Sequence, residues 1–142
     1  MEAVPYWHVV KYRPDIGAVL HELREREFRA GRYNPAMPFP DSHSPGPGAK
    51  HRTIREALRA SGADGTRSIL DVERISKEPE AGAAAPVPDE LLLDHYGTTR
   101  PTQEHLDQGD VYEHIDRGQC VFIILYRGDQ PDEIVFAGYS YD

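Results

Sequence analysis

The chain has 142 residues, 39% of them hydrophobic and 28% charged, with a formal net charge of -8. That length suits one domain with a real core. The acidity argues against a general nucleic-acid binder, which needs a basic footprint, and no apolar run reaches the length of a membrane-spanning helix.

The charge is unevenly placed. Residues 1–75 hold twelve Lys/Arg and ten Asp/Glu, a net +2, whereas residues 76–142 hold four and fourteen, a net -10. The opening MEAVPYWHVVKYRPD lacks the basic start, apolar middle and small-residue cleavage site of a secretory signal. The single cysteine, Cys120, cannot form an internal disulfide and lies in the most apolar stretch, which suits a buried inert thiol. A cytoplasmic protein is expected.

In chain order, Tyr6–Tyr12 is aromatic and β-branched and reads as a first strand over 6–12. Arg13-Pro14-Asp15 breaks it, and Asp15 is placed to cap a helix over 15–30. There Ile16, Val19, Leu20 and Leu23 share one face, Glu22, Arg24, Glu25 and Arg26 the other, and Gly31 marks the stop. The 31–51 stretch carries five prolines and no periodicity, so it reads as a long loop, of the kind that is usually functional or disordered. Thr53 and Glu56 fit a capping box for a short helix ending at Gly62. Alternation of Ser68, Leu70 and Val72 with Ile69, Asp71 and Glu73 predicts a strand over 67–75. Residues 76–88, rich in Ala, Pro and Glu, read as a second irregular loop. Three short helices are then expected, over Asp89–Tyr96, Pro101–Gln108 and Asp110–Arg117. Their outer sides are acidic: Glu90 and Asp94, Glu104 and Asp107, Glu113 and Asp116.

The last stretch, Cys120 to Asp142, is the most apolar. Val121, Ile123 and Leu125 alternate with Phe122, Ile124 and Tyr126, and both sets are apolar, which predicts a strand covered on both faces. A polar turn over 127–132 leads to a second strand over 133–139, giving an antiparallel hairpin over 119–126 and 133–139. Gly138 inside that strand signals a bulge or a close backbone approach. The expected fold is a single α+β domain. It has a mainly antiparallel sheet of about four strands, one long amphipathic helix and several short ones.

No compact catalytic or metal signature is present. His21-Glu22 resembles the opening of a zinc-protease motif, but Glu25 stands where the second histidine belongs. GPG at 46–48 lacks the spacing of a phosphate loop, and GTRSILD holds no G-x-S-x-G elbow. Ser68, His51 and Asp71 are the residue types of a hydrolase triad, which only geometry can decide. His95, His105 and His114 lie in the acidic helical region and would need to converge, with Asp94 or Asp110, to hold a metal. Sequence assigns no metal ligand and no cofactor.

Two sites are expected instead. A mainly cationic cluster of Arg32, Tyr33, Asn34, His51, Arg52, Arg67 and Asp71, between the 32–51 loop and the 67–75 strand, suits an anionic small molecule such as a nucleotide or phosphate. An acidic surface carrying Asp94, Asp107, Asp110 and Glu113 suits a basic protein partner. The string FRAGRYNP resembles the Arg-x-Asn-Pro stretch of RES-type NAD-consuming toxin domains over a few residues. GTRSILDVERIS and FAGYSYD are similar to a small family of uncharacterised proteins of high-GC bacteria, a resemblance that implies a bacterial source and no activity. The leading functional expectation is a small acidic binding protein of the immunity or antitoxin kind. The alternative is a small enzyme or ligand-binding domain for an anion.

Overall fold

A computed structural model describes residues 3–33, 51–62, 65–106 and 111–141. Strand β1 (Pro5–Lys11) leads into helix α1 (Ile16–Arg29). Asp15 caps that helix, its Oδ1 accepting the Ala18 N–H at 3.0 Å. Helix α2 (Ile54–Ser61) starts where expected, with Thr53 Oγ1 accepting the Glu56 N–H at 3.1 Å. Glu56 reaches back one residue further than a regular capping box, to the Arg52 N–H at 2.9 Å. Strands β2 (Arg74–Ile75) and β3 (Ala83–Pro86), helix α3 (Asp89–Tyr96), and the hairpin β4 (Cys120–Arg127) and β5 (Gln130–Tyr139) complete the regular elements.

The strands form one five-stranded sheet in the order β1-β5-β4-β3-β2. β4 is central, as its two apolar faces require. β1 and β4 both run antiparallel to β5, in registers that include Trp7↔Ala137 and Phe122↔Phe136. β3 lies parallel to β4, and β2 parallel to β3. The architecture is α+β, with a mixed sheet of five strands in place of the four mainly antiparallel ones expected.

The strand expected over 67–75 shrinks to Arg74–Ile75. Ile69–Asp71 is a 3-10 turn, because Ser68 Oγ accepts the Leu70 N–H at 3.2 Å and diverts the backbone from a ladder. The loop expected over 76–88 contains β3, with Ala83, Ala84 and Ala85 fully buried. Alanine is depleted in strands and carries little strand signal, yet a small side chain fits a crowded central position. The short return from β2 to β3 is tied by Glu73 N–H to Gly82 O at 2.8 Å and Ser76 N–H to Ala84 O at 2.9 Å.

The β4–β5 hairpin turns at Gly128-Asp129, pairing Arg127 with Gln130, so both strands extend into the expected 127–132 turn. Its irregularity lies between Leu125 and Tyr126, not at Gly138. Gly138 marks a close approach instead: an added Cβ would run into the Tyr6 hydroxyl and stand 2.7 Å from the Gln119 carbonyl.

Of the helix expected over Pro101–Gln108, the described part is a 3-10 turn at Gln103–His105. Of Asp110–Arg117, Val111–Tyr112 is helical and the chain then turns. Residues 34–50, 63–64 and 107–110 lie outside the described residues, and with them Asn34, Asp107, Asp110 and most of the expected 31–51 loop.

Both faces of the sheet are covered. Leu20, Leu23 and Val19 of α1 pack on Phe122, Ile134 and Phe136. On the opposite face Leu92, Val111 and Ile115 pack on Val121, Ile123 and Val135. Each fully buried large side chain of this kind contributes about 1.5–3 kcal/mol. No helix among the described residues is long and apolar enough to cross a membrane.

Candidate functional site

The cationic cluster expected from sequence separates into two arrangements. In the first, Arg32 lies across Glu27, with Nε 3.0 Å from Oε1 and Nη2 2.7 Å from Oε2. Glu27 is only 4% exposed. Burial raises its carboxyl, but the Arg32 hydrogen bonds and the neighbouring His8, Arg32 and Arg26 charges outweigh that and hold it below the ordinary value. His8 Nδ1 stands 3.9 Å from Glu27 Oε1. Burial lowers the His8 imidazole, and the Glu27 charge offsets this only in part.

Tyr33 is buried beside these groups, its ring stacked on Phe28 with centroids 5.7 Å apart. Its hydroxyl meets His51 Nδ1 at 3.1 Å. With Ala57 and Leu70 it fastens α1, α2 and the 3-10 turn together. Tyr33 and His51 therefore sit in a packing contact, and Arg52 is exposed at the start of α2.

The second arrangement surrounds Asp71. Its Oδ1 accepts the Thr66 N–H at 2.7 Å and the Thr66 hydroxyl at 2.8 Å, and Thr66 Oγ1 lies 2.7 Å from Ser68 Oγ. Arg67, between them, has a left-handed φ of 53°. Asp71 is 7% exposed, and its Oδ2 is buried without a hydrogen-bond partner. Burial raises the Asp71 carboxyl, against the lowering effect of the Thr66, Arg67 and Ser68 hydrogen bonds. The groove alongside, walled by Leu20, Arg24, Glu73 and Arg74, does not include Asp71. Arg24 crosses to this turn and donates to the Leu70 carbonyl at 2.7 Å. Ser68, His51 and Asp71 do not form a triad: Ser68 Oγ is held by Thr66 and caps Leu70, while His51 faces Tyr33. The Asp71 network folds a turn and lines no described cavity.

A different face combines accessibility with chemistry. α3 and the Val111–His114 turn lean on β3 and β4 and leave an apolar cavity of about 100 Å³. Its walls include Pro86, Val87, Leu91, Val111, Val121 and Ile123. His95 and His114 share its lining, with their Nε2 atoms 2.5 Å apart. Leu93, on the same helix, is 53% exposed. Asp94 and Glu113 of the expected partner surface are exposed here, as are Asp89, Glu90 and Asp116.

The turn is held from the sheet side. Tyr112 donates to the Tyr6 carbonyl at 2.7 Å and packs between Trp7 and Tyr139. Burial, with the neighbouring Tyr139 and Cys120, pushes the Tyr112 phenol up to about 12.

Of the three histidines considered from sequence, the fold joins His95 and His114 and sends His105 elsewhere. His105 Nδ1 lies 3.0 Å from the Thr102 N–H, which it accepts. No group of three or more metal-ligating side chains occurs among the described residues. The cavity escaped sequence reading because β3, which forms part of its wall, carries no strand signal.

No family model matches the chain, and no curated protein or solved structure matches it significantly.

Proposed function

We propose that the chain is a small acidic binding protein that engages a basic protein partner through the face carrying α3 and Val111–Asp116. The observation that supports this most is a coincidence of charge and shape. The two elements that wall an apolar cavity, α3 and the turn after Val111, also carry the exposed Leu93 and the exposed Asp89, Glu90, Asp94, Glu113 and Asp116, and these carboxylates enter no ion pair among the described residues.

Several carboxylates elsewhere are matched. Glu22 pairs with Arg13 at 2.7 Å, Glu27 with Arg32 at 2.7 Å and Glu80 with Arg74 at 2.6 Å. The α3 face is thus a concentrated negative field beside a socket. Asp89 and Glu90 also complement the first turn of α3, but Asp94, Glu113 and Asp116 have no such local role. A basic partner inserting one aliphatic or aromatic anchor would use both features: charge to steer encounter and burial of the anchor to hold it. An immunity protein or antitoxin facing a basic toxin is the functional type that fits.

The alternative, an anionic ligand beside Arg32 and Arg67, has less support, because Arg32 already neutralises the buried Glu27. The deciding experiment compares the wild type, Asp94→Asn/Glu113→Gln and Leu91→Ala as immobilised baits for a lysate of the source cells. The expected result is one basic protein retained by the wild type, released as salt rises, and weakened by both variants. Retention indifferent to both variants, or an empty bait at low salt, overturns the reading.

A further inference from the structure

We propose that His95 and His114 form a two-imidazole site for a late transition-metal ion of the copper(II) or nickel(II) type. The inference does not depend on the protein partner proposed above. The two side chains come from separate elements, the last turn of α3 and the turn after Val111, yet their Nε2 atoms meet at 2.5 Å. The rings are 4.6 Å apart and inclined at 57°. The backbone beneath is fixed, with Leu92, Val111 and Ile115 buried against the sheet. The histidines are exposed, so solvent reaches the point where they converge.

Two neutral imidazoles left alone share one proton, and N–H donors ordinarily sit roughly 2.9–3.0 Å from their acceptor. Here the two Nε2 atoms face one another, and two imidazole lone pairs converging on one point are what a cation takes as ligands. With metal–nitrogen bonds of about 2.0–2.1 Å, two nitrogens at a right angle are about 2.8–3.0 Å apart, and at a tetrahedral angle about 3.3–3.4 Å. The right-angled arrangement needs the smaller opening. Tetragonal nitrogen and oxygen sites favour Cu(II) or Ni(II), and Cu(II) leads the affinity order for such ligands.

Two protein ligands leave the other positions to water, in keeping with the absence of a third ligating side chain among the described residues. The exposed carboxylates on the same two elements, Asp94 and Glu113 among them, raise the local cation concentration. Because both histidines also line the apolar cavity, the class of ligand that would complete the site has a small apolar body and a nitrogen, oxygen or sulfur donor.

The test uses the full, untagged chain. It is titrated calorimetrically with copper(II) and with nickel(II) salts in a non-coordinating buffer, and the copper-loaded protein is examined by electron paramagnetic resonance. One ion per chain is expected, with hyperfine structure from two imidazole nitrogens. His95→Ala and His114→Ala are each expected to weaken binding by at least the roughly 10-fold that even outer-shell changes cost a metal site. His105→Ala, whose imidazole caps Thr102, is expected to bind as the wild type does. Both histidines are exposed, and circular dichroism establishes that the variants remain folded. The proposal is overturned if the wild type takes up neither ion at high-micromolar metal. It is equally overturned if one ion still binds the double variant with unchanged affinity.

Discussion

Arg32 closes over the carboxylate of Glu27 through two parallel hydrogen bonds of 3.0 and 2.7 Å, at the point where α1 gives way to the following segment. This two-point geometry is what a guanidinium supplies and an ammonium does not. It assigns Arg32 a role inside the chain: it neutralises an almost fully buried acid next to a half-buried His8. The arginine of FRAGRYNP is therefore engaged locally, whatever that string resembles.

The pair has a pH signature. The folded Glu27 carboxyl lies below its ordinary value of 4.5. A lowered carboxyl adds stability that is fully present above the unfolded value and is lost as pH falls through the folded one. His8, lowered from 6.5, acts in the same sense: its contribution is present above 6.5 and is lost as pH falls through its lowered folded value. Arg32→Gln is expected to lower the melting temperature by a few degrees at neutral pH and to shrink the loss between neutral pH and about pH 3. An unchanged melting profile across that range would show that the pair contributes nothing.

Asp71 predicts the opposite slope. Its folded carboxyl is raised above 3.8, chiefly by burial. A raised carboxyl gives stability that is complete below the unfolded value and is lost as pH rises through the folded one. Asp71→Asn keeps an oxygen acceptor for Thr66 and removes that loss, so the variant is expected to gain on the wild type as pH rises above about 4. Asp71→Ala instead strands the Thr66 N–H, at about 1–3 kcal/mol for a buried group left unpaired, while the Thr66 hydroxyl keeps Ser68 Oγ. Urea unfolding of both variants at acid and neutral pH separates the two effects.

What the sequence disclosed follows from how strongly each residue is marked. α1, α2 and the hairpin were legible because period and capping agree: Asp15 and Thr53 cap as their positions suggest, and both faces of β4 are apolar. The 67–75 strand was misread because alternation alone does not distinguish a ladder from a turn closed by side chains. Ser68, Thr66 and Asp71 decide that locally. β3 was missed because Ala83–Ala85 are buried by their neighbours' packing, not by their own propensity. Mislaying β3 meant mislaying the cavity it walls. The His95–His114 contact joins residues nineteen positions apart, a separation that no short motif encodes.

Gly138 offers a direct test of packing at the other end of the sheet. It pairs with both Tyr6 and Cys120, and an added Cβ would meet the Tyr6 hydroxyl, the end of its ring and the Gln119 carbonyl together. One of those neighbours is backbone, the Gln119 carbonyl, which already accepts the Tyr139 N–H at 3.1 Å and has little room to yield. Gly138→Ala is expected to destabilise by about 1–3 kcal/mol, the scale of core overpacking. Denaturant unfolding measures it, and a neutral result would mean that β1 and β5 can part without cost.

Cys120 gives a probe of the same region. It is fully buried, and burial pushes its thiol up to about 12 against the lowering effect of hydrogen bonds from Tyr6 and the Ala137 backbone. Thiolate is the reactive form, so at mildly alkaline pH native Cys120 lacks both charge and access. Alkylation by iodoacetamide is expected to be undetectable in the folded chain and stoichiometric in urea. At intermediate urea the rate is expected to follow the unfolded population. Rapid labelling without denaturant would show instead that β4 and β5 open locally near Gly138, and the same opening would relieve the crowding on which the Gly138→Ala prediction rests.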